Sequence, residues 1–248
     1  MAFGLGLGFR ARRRRAASAP AFSPSDITDL LAWYDASNAT SITSSGGMVS
    51  QWDDLSGGGR HLTQSSGGSR PETGSVTING RNAINFNDKY MSAPSSIGGY
   101  GGYRGPVFTI LSVWQTNAPS ASYDQWLWNG ESATVGVVFA GGTDEIQGHK
   151  YQGNFGFAST LSITPDGTQH VVGHRVNGSD QQVYYDGTFS SVNSAGSTTG
   201  SNFIFGAYNQ YGGFMNARFG EIVAYNRSLS DAEVEQVQSY FREKWGTP

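Results

Sequence analysis

Carboxylates are the first groups to test for chemistry, because retaining glycoside hydrolysis needs two of them about 5 Å apart across a cleft. The glutamates are Glu72, Glu131, Glu145, Glu221, Glu233, Glu235 and Glu243. Glu233 and Glu235 fall in a helical pattern near the end of the chain, and Glu221 stands alone in strand-like text. No pair of acids presents itself. Of the four histidines, His170 and His174 are four apart. That spacing suits zinc on a helix, but TQHVVGHRV alternates like a strand, where the two rings are about 13 Å apart. They share a face without sharing an ion, and the expectation is of solvent-facing histidines. There is no cysteine, so thiolate metal sites and disulfides are excluded. No Ser/His/Asp order or nucleophile elbow stands out, and GGYGGYRG lacks the lysine of a phosphate loop. The expectation is a non-enzyme with no catalytic residues.

Aromatic residues in glycine-rich text give a second kind of signal. Tyr100 and Tyr103 lie in GGYGGYRG, Tyr123, Trp126 and Trp128 in SYDQWLWNG, and Tyr208 and Tyr211 in AYNQYGGF. Sugar rings stack on such faces, with Asn, Gln and Asp at hand for hydroxyls. The same residues also suit packing under loops or contacts between subunits, where Tyr and Trp are enriched. Both readings stand at this point.

The elements that must position these residues are short strands. Apolar residues make up only 37 % of the chain and charged ones 14 %, with 35 glycines among 248 residues. Aromatics at 13 % argue against disorder. This balance suits a β-rich fold with many tight turns. MVSQW, RHLTQ, AINF, PVFTILSVWQT, TVGVVFA, IQGHKYQ, TQHVVGHRV, QQVYYDG, FIFGAY and ARFGEIVAYN read as strands. PVFTILSVWQT is apolar at both parities, which predicts a central strand covered on both faces. Asn177-Gly178 and Asp186-Gly187 are hairpin dipeptides. Ser23-Pro24-Ser25-Asp26 predicts a short helix capped by Ser23, and LLAWYDAS the first strand. Near the end, Ser230-Asp231-Ala232-Glu233 is a capping box, with Leu229 and Val234 placed as a staple. Val234, Val237, Phe241 and Trp245 share one helical face before Gly246, predicting a helix over 230–245.

Four blocks of this text resemble the LamG-like jelly-roll domains of the concanavalin A-like lectin/glucanase superfamily. They are SDITDLLAWYDASNATSI, VSQWDDLSGGGRHLTQ with Arg70-Pro71, the INGRNAINFND–KY stretch over 78–90, and GEIVAYNRSLSDAEVEQVQSYFREKWG. The resemblance spans residues 25–246 with a divergent middle. It implies an all-β, two-sheet antiparallel jelly-roll sandwich with a C-terminal amphipathic helix. Within it, Asp54, Ser56 and Gly57 to Gly59 read as turn-holding residues, and Trp33, Trp52 and Phe86 as core aromatics of the two sheets. Glucanases of this fold carry an E-x-D-x-x-E strand motif, and no glutamate here begins one. Some members bind calcium at the sandwich rim; Asp53, Asp88, Asp124 and Asp144 are loop acids of the kind that do so. No cofactor follows from them, and the metal question stays open.

The chain begins MAFGLGLGFRARRRR. Residues 1–24 carry five arginines and no acid, so the net charge of −3 leaves −8 on the remainder. We read 1–24 as an extended N-terminal arm and linker and 25–248 as one domain. Phe3, Leu5, Leu7 and Phe9 alternate with glycine, a pattern that as a strand puts four apolar side chains on one face. Such a strand can add to another subunit's sheet edge, with Arg10, Arg12, Arg13, Arg14 and Arg15 pairing with acids there. The basic residues follow the apolar segment, opposite to the order of a secretory signal, and no apolar run is long enough to span a membrane. The acidic body weighs against nucleic-acid recognition. Glycine-leucine N-termini joined to LamG-like domains resemble phage virion proteins. That resemblance implies a decoration, fibre or tail-associated subunit, assembled in the bacterial cytoplasm into the virion. It would be a homo-oligomer held by its arm to capsid or tail subunits, with a jelly-roll free to touch host surface glycans. The alternative is a bacterial carbohydrate-binding module or cell-surface lectin.

Overall fold

The computed structural model describes residues 22–93, 107–116, 124–130, 135–150, 157–163, 166–178, 180–194, 203–208 and 211–248. The arm residues Phe3, Leu5, Leu7, Phe9, Arg10 and Arg12 to Arg15, and the aromatics Tyr100, Tyr103 and Tyr123, lie outside the described residues. In chain order the strands are β1 (Leu30–Asp35), β2 (Ile42–Ser45), β3 (Met48–Trp52), β4 (Leu62–Thr63), β5 (Glu72–Ile78), β6 (Arg81–Asn85), β7 (Met91–Ala93), β8 (Val107–Thr116) and β9 (Gln125–Gly130). They continue with β10 (Val135–Phe139), β11 (Glu145–Lys150), β12 (Phe157–Ser162), β13 (Gln169–Asn177), β14 (Asp180–Tyr185), β15 (Thr188–Phe189), β16 (Asn193–Ser194), β17 (Phe203–Phe205) and β18 (Ala217–Tyr225). One α-helix, α1 (Asp231–Trp245), follows.

The strands form a two-sheet antiparallel jelly-roll sandwich. The first sheet runs β15/β16, β14, β13, β8, β18, with β1 and β6 sharing the far edge of β18, then β5. The second runs β12, β11, β10, β9, β17, β7, β4, β3, β2. The layers meet at one edge, where Met48 of β3 pairs with Glu72 of β5.

Alternation along β8 explains the architecture. Phe108, Ile110 and Trp114 point between the sheets, into a core shared with Trp52, Phe86, Trp128 and Phe205. Leu111 and Val113 point outward into a second core beneath α1. The strand is thus covered on both faces, as its apolar pattern requires. The helix follows the capping signals. Ser230 caps it, the Glu233 side chain returns the bond, and Gly246 closes it at φ 70°. Val234, Val237, Phe241 and Trp245 are buried against the first sheet. A β-bulge in β18 between Phe219 and Glu221 leaves Gly220 under the Trp245 ring. A Cβ there would stand 2.9 Å from that ring, so the helix reaches the sheet only over glycine.

The turn chemistry also follows the sequence. Asp54 Oδ1 accepts from the Trp33 and Ser56 amides and its Oδ2 from the Arg60 amide. The Ser56 hydroxyl accepts from the Gly58 amide. Ser23 caps a short 3-10 turn at Pro24–Asp26. Trp52 and Phe86 are core aromatics between the sheets, but Trp33 is not. The parity of β1 turns Trp33 outward with Asp35, toward the helix, while Ala32 and Tyr34 enter the core.

Candidate functional site

Glu221, isolated in the sequence, is the centre of a buried polar cluster. It is 0 % exposed on the helix side of β18. Its Oε1 accepts from Trp33 Nε1 at 2.6 Å and the Tyr240 hydroxyl at 2.9 Å. Its Oε2 accepts from Lys244 Nζ at 2.6 Å and Trp245 Nε1 at 2.7 Å. Lys244 also donates to Asp35 Oδ2 at 2.7 Å. Burial and the neighbouring Asp35 push the Glu221 carboxyl up from its ordinary range, and Lys244 pulls against them. Every oxygen is occupied from within the protein, so the cluster latches α1 to the sheet and offers nothing to a substrate.

The histidines are corrected by the structure: neither faces solvent. His170 and His174 do share one face of β13, but it is the inner one. His174 is 0 % exposed, lies against Phe108 and Trp128, and bonds Gln181 Oε1 through Nε2 at 2.8 Å. His170 stacks on Tyr185, with Nδ1 2.6 Å from Asp186 Oδ2 and Nε2 3.0 Å from Asp166 Oδ1. Burial acts to lower its pKa, but the bonds and charges of the two aspartates outweigh that and raise it. The pattern of TQHVVGHRV matched either face, and the partners that admit imidazole to the interior come from β14, the turn after it and the loop just before β13.

Among the described residues, the face left open is the outer side of the second sheet over β2, β3, β4, β7 and β17. The helix covers the opposite outer face, and Leu62, Met91, Phe203, Phe205 and Val137 turn into the core. Their alternating neighbours therefore face out. Cross-strand register aligns Thr43, Gln51, Thr63, Ser92, Ile204, Asn129 and Gly136 in one row from β2 to β10. Its β9–β10 end is closed, with Asn129 0 % exposed and Gly136 buried under the Trp126 ring, so the accessible part runs from Thr43 to Ile204, about 19 Å at strand spacing. At its β2–β7 end is a shallow depression of about 410 Å³ lined by Thr43, Ser50, Gln51, Thr63, Gln64, Ser65, Arg70, Tyr90 and Ser92. The loop over 64–70 is tied to its wall: Gln64 Nε2 donates to the Tyr90 carbonyl, and Arg70 donates to the carbonyls of Gln64 and Ser65. Behind Tyr90, the Phe214 ring is stacked at 27°. An aromatic ring, an amide, a guanidinium and several hydroxyls thus converge on a rigid sheet.

The sequence-derived aromatics divide. Trp128 is 1 % exposed and stacks on Phe203 inside the core, and Trp126 is 5 % exposed beneath Tyr208. Neither offers an open ring face, which corrects their assignment as stacking platforms. SYDQWLWNG reads as loop but holds strand β9, and a bulge there lets both Leu127 and Trp128 enter the core. Tyr208 is half-buried on the outer face, its carbonyl accepting from Asn129 Nδ2 at 2.6 Å, and Tyr211 is 83 % exposed. Sequence reasoning missed Tyr90, whose signal was only an aromatic one position before a three-residue strand. It used Arg70 solely as part of a family block.

The loop acids are dispersed. Asp53 is bonded by Gln51 and lies 3.2 Å from His61, and Asp124 accepts from the Gly141 amide. Asp88 holds a positive φ of 53°, and the Asp144 carbonyl accepts from the Ile163 amide. Among the described residues no three His, Cys, Asp or Glu side chains gather as a metal site would require. No described helix is long and apolar enough to cross a membrane.

The sequence matches no protein-family model, and no curated protein aligns with it. Solved structures do resemble the fold. The binding domain of Paraclostridial Mosquitocidal Protein 1 superposes with a TM-score of 0.64 at 17 % identity, covering 91 % of this chain and 56 % of that one. Domain 4 of AbnA, an extracellular GH43 arabinanase from Geobacillus stearothermophilus solved with arabinotriose, gives 0.61 at 12 % identity, covering 85 % and 98 %. A Trypanosoma rangeli sialidase gives 0.61 at 12 % identity, covering 89 % of this chain and 34 % of its own. The chain thus spans about a third of the sialidase and just over half of the mosquitocidal protein's binding domain. At such identities the likeness establishes a shared β-sandwich fold.

Proposed function

We propose that this protein is a non-catalytic carbohydrate-binding jelly-roll that engages glycans on the outer face of its second sheet. The observation that carries the reading is the polar row ending in the Tyr90 depression. It is the outer sheet face that the helix leaves uncovered, and its Thr, Ser and Gln side chains suit sugar hydroxyls. The likeness to AbnA domain 4, solved with arabinotriose, supports the same class of ligand.

The arm extends the proposal. Phe22 packs on Tyr240 of α1 at 6.0 Å, so the chain joins the sandwich on the helix side, opposite the proposed binding face. An anchor there leaves that face pointing away from whatever holds it. The FGLGLGF alternation and the arginines after it suit edge-strand docking onto a neighbouring subunit. Taken with the sequence resemblance, this supports a decoration, fibre or tail-associated virion protein. Glycan-array binding by the full chain, lost in Tyr90→Ala without loss of stability, tests the first part. Deleting residues 1–21 tests the second: the body should fold, keep its glycan binding and no longer join particles. Unchanged incorporation of the truncated chain would sink the anchoring role.

A further inference from the structure

We propose that the glycan bound at this face is acidic and that Arg70 takes a sugar carboxylate. The inference rests on the glycan-binding reading and names its ligand class. Among the described residues Arg70 is the one charged residue lining the depression. Its guanidinium is held from behind, Nε donating to the Gln64 carbonyl at 2.9 Å and Nη2 to the Ser65 carbonyl at 3.1 Å. Those bonds use one edge of the planar fork. Among the described residues the opposite edge, Nη1 with the second N–H of Nη2, has no partner, and no carboxylate lies within ion-pair distance of Arg70. A fixed guanidinium with a free edge is the donor geometry that matches a carboxylate through two parallel bonds.

The surroundings agree. Lys89 Nζ donates to the Gly68 carbonyl at 2.8 Å, placing a second cation on the same 64–70 loop. The nearby acid Asp53 is already engaged, bonded by Gln51 Nε2 at 2.7 Å and lying 3.2 Å from His61 Nδ1. The Tyr90 ring, backed by Phe214, stands on the same depression to take the face of the pyranose. This local positive charge sits on a body that carries −8 outside the arm, so the acid preference belongs to this site alone and not to the protein's overall field.

Calorimetry on the full chain with oligogalacturonate and its methyl ester tests the assignment, because esterification removes the charge at the carboxyl and leaves the rest of the saccharide unchanged. The acid should bind about tenfold or more tighter than the ester, and the difference should shrink at high salt. Arg70→Gln should bring the two ligands to equal affinity, and Arg70→Lys, which keeps charge without the fork, should recover only part of the gap. Sialyllactose against lactose reads whether the carboxylate belongs to a sialic or a uronic acid. Equal binding of acid and ester that is lost in Tyr90→Ala overturns the carboxylate assignment and leaves glycan binding standing. No binding to any saccharide, charged or neutral, overturns both. The comparison of the two ligands on the unaltered protein stands even if the Arg70 variants fail to fold.

Discussion

Lys244→Met removes the cation from the latch beneath α1 and leaves Glu221 and Asp35 facing each other. In the native protein Lys244 Nζ lies 2.6 Å from Glu221 and 2.7 Å from Asp35, with Glu221 fully buried. Removing one partner of a buried pair costs about 3–5 kcal/mol, because the remaining charge is uncompensated. That is a large share of the roughly 5–15 kcal/mol that holds a domain folded, and corresponds to a fall of about 1–2 M in the urea midpoint. The loss should depend on pH with a definite sign. Burial and Asp35 already raise the Glu221 pKa, and without Lys244 it rises further. The folded variant then binds a proton that the unfolded chain has released, so its stability falls as pH climbs above the ordinary value of 4.5 toward the raised one. Urea unfolding followed by tryptophan fluorescence should show a smaller defect near pH 4.5 than near neutrality. Adding Glu221→Gln should recover about 1 kcal/mol or more at neutral pH through the coupling of the two sites. A loss below about 1 kcal/mol that does not change with pH would refute the reasoning.

Four further outcomes follow from the geometry. Ser230→Ala should cost about 1 kcal/mol of thermal or urea stability by opening the helix cap. Glu233, held at about 2 by Arg227 and the Ser230 amide, should contribute its share above 4.5 and lose it as pH falls toward 2, a dependence that Glu233→Gln abolishes. His170, raised by Asp186 and Asp166 against its burial, should contribute fully below 6.5 and progressively less as pH rises through its folded value. His170→Gln should flatten that part of the stability profile. Gly136→Ala would place a methyl 2.7 Å from the Trp128 carbonyl and 2.8 Å from the Trp126 ring, so its melting temperature should drop by the equivalent of about 1–3 kcal/mol.

Much of the fold was legible because it is written locally. The helix announced itself through Ser230, Glu233 and Gly246, and β8 through apolar residues at both parities. The turns were carried by Asp54, Asn177-Gly178 and Asp186-Gly187, whose side chains and φ angles act within a few residues. The site was less legible because it is assembled across register. Thr43, Gln51, Thr63, Ser92 and Ile204 come from five strands, and no local pattern tells that their faces align. A tryptophan in glycine-rich text looked like a sugar platform, yet the bulge at Leu127 sends Trp128 inward. Glu221 looked idle because its partners come from separate elements: Trp33 from the first strand, and Tyr240, Lys244 and Trp245 from the helix after β18.

The central claim is that glycans bind the outer face of the second sheet. Amide NMR of the isotope-labelled chain, titrated with the tightest array ligand, tests it most directly. Shifts are expected at Gln51, Thr63, Arg70, Tyr90 and Ser92, extending toward Ile204 for longer saccharides, while α1 stays unmoved. Shifts confined to α1 and the Phe22 side of the sandwich would contradict it.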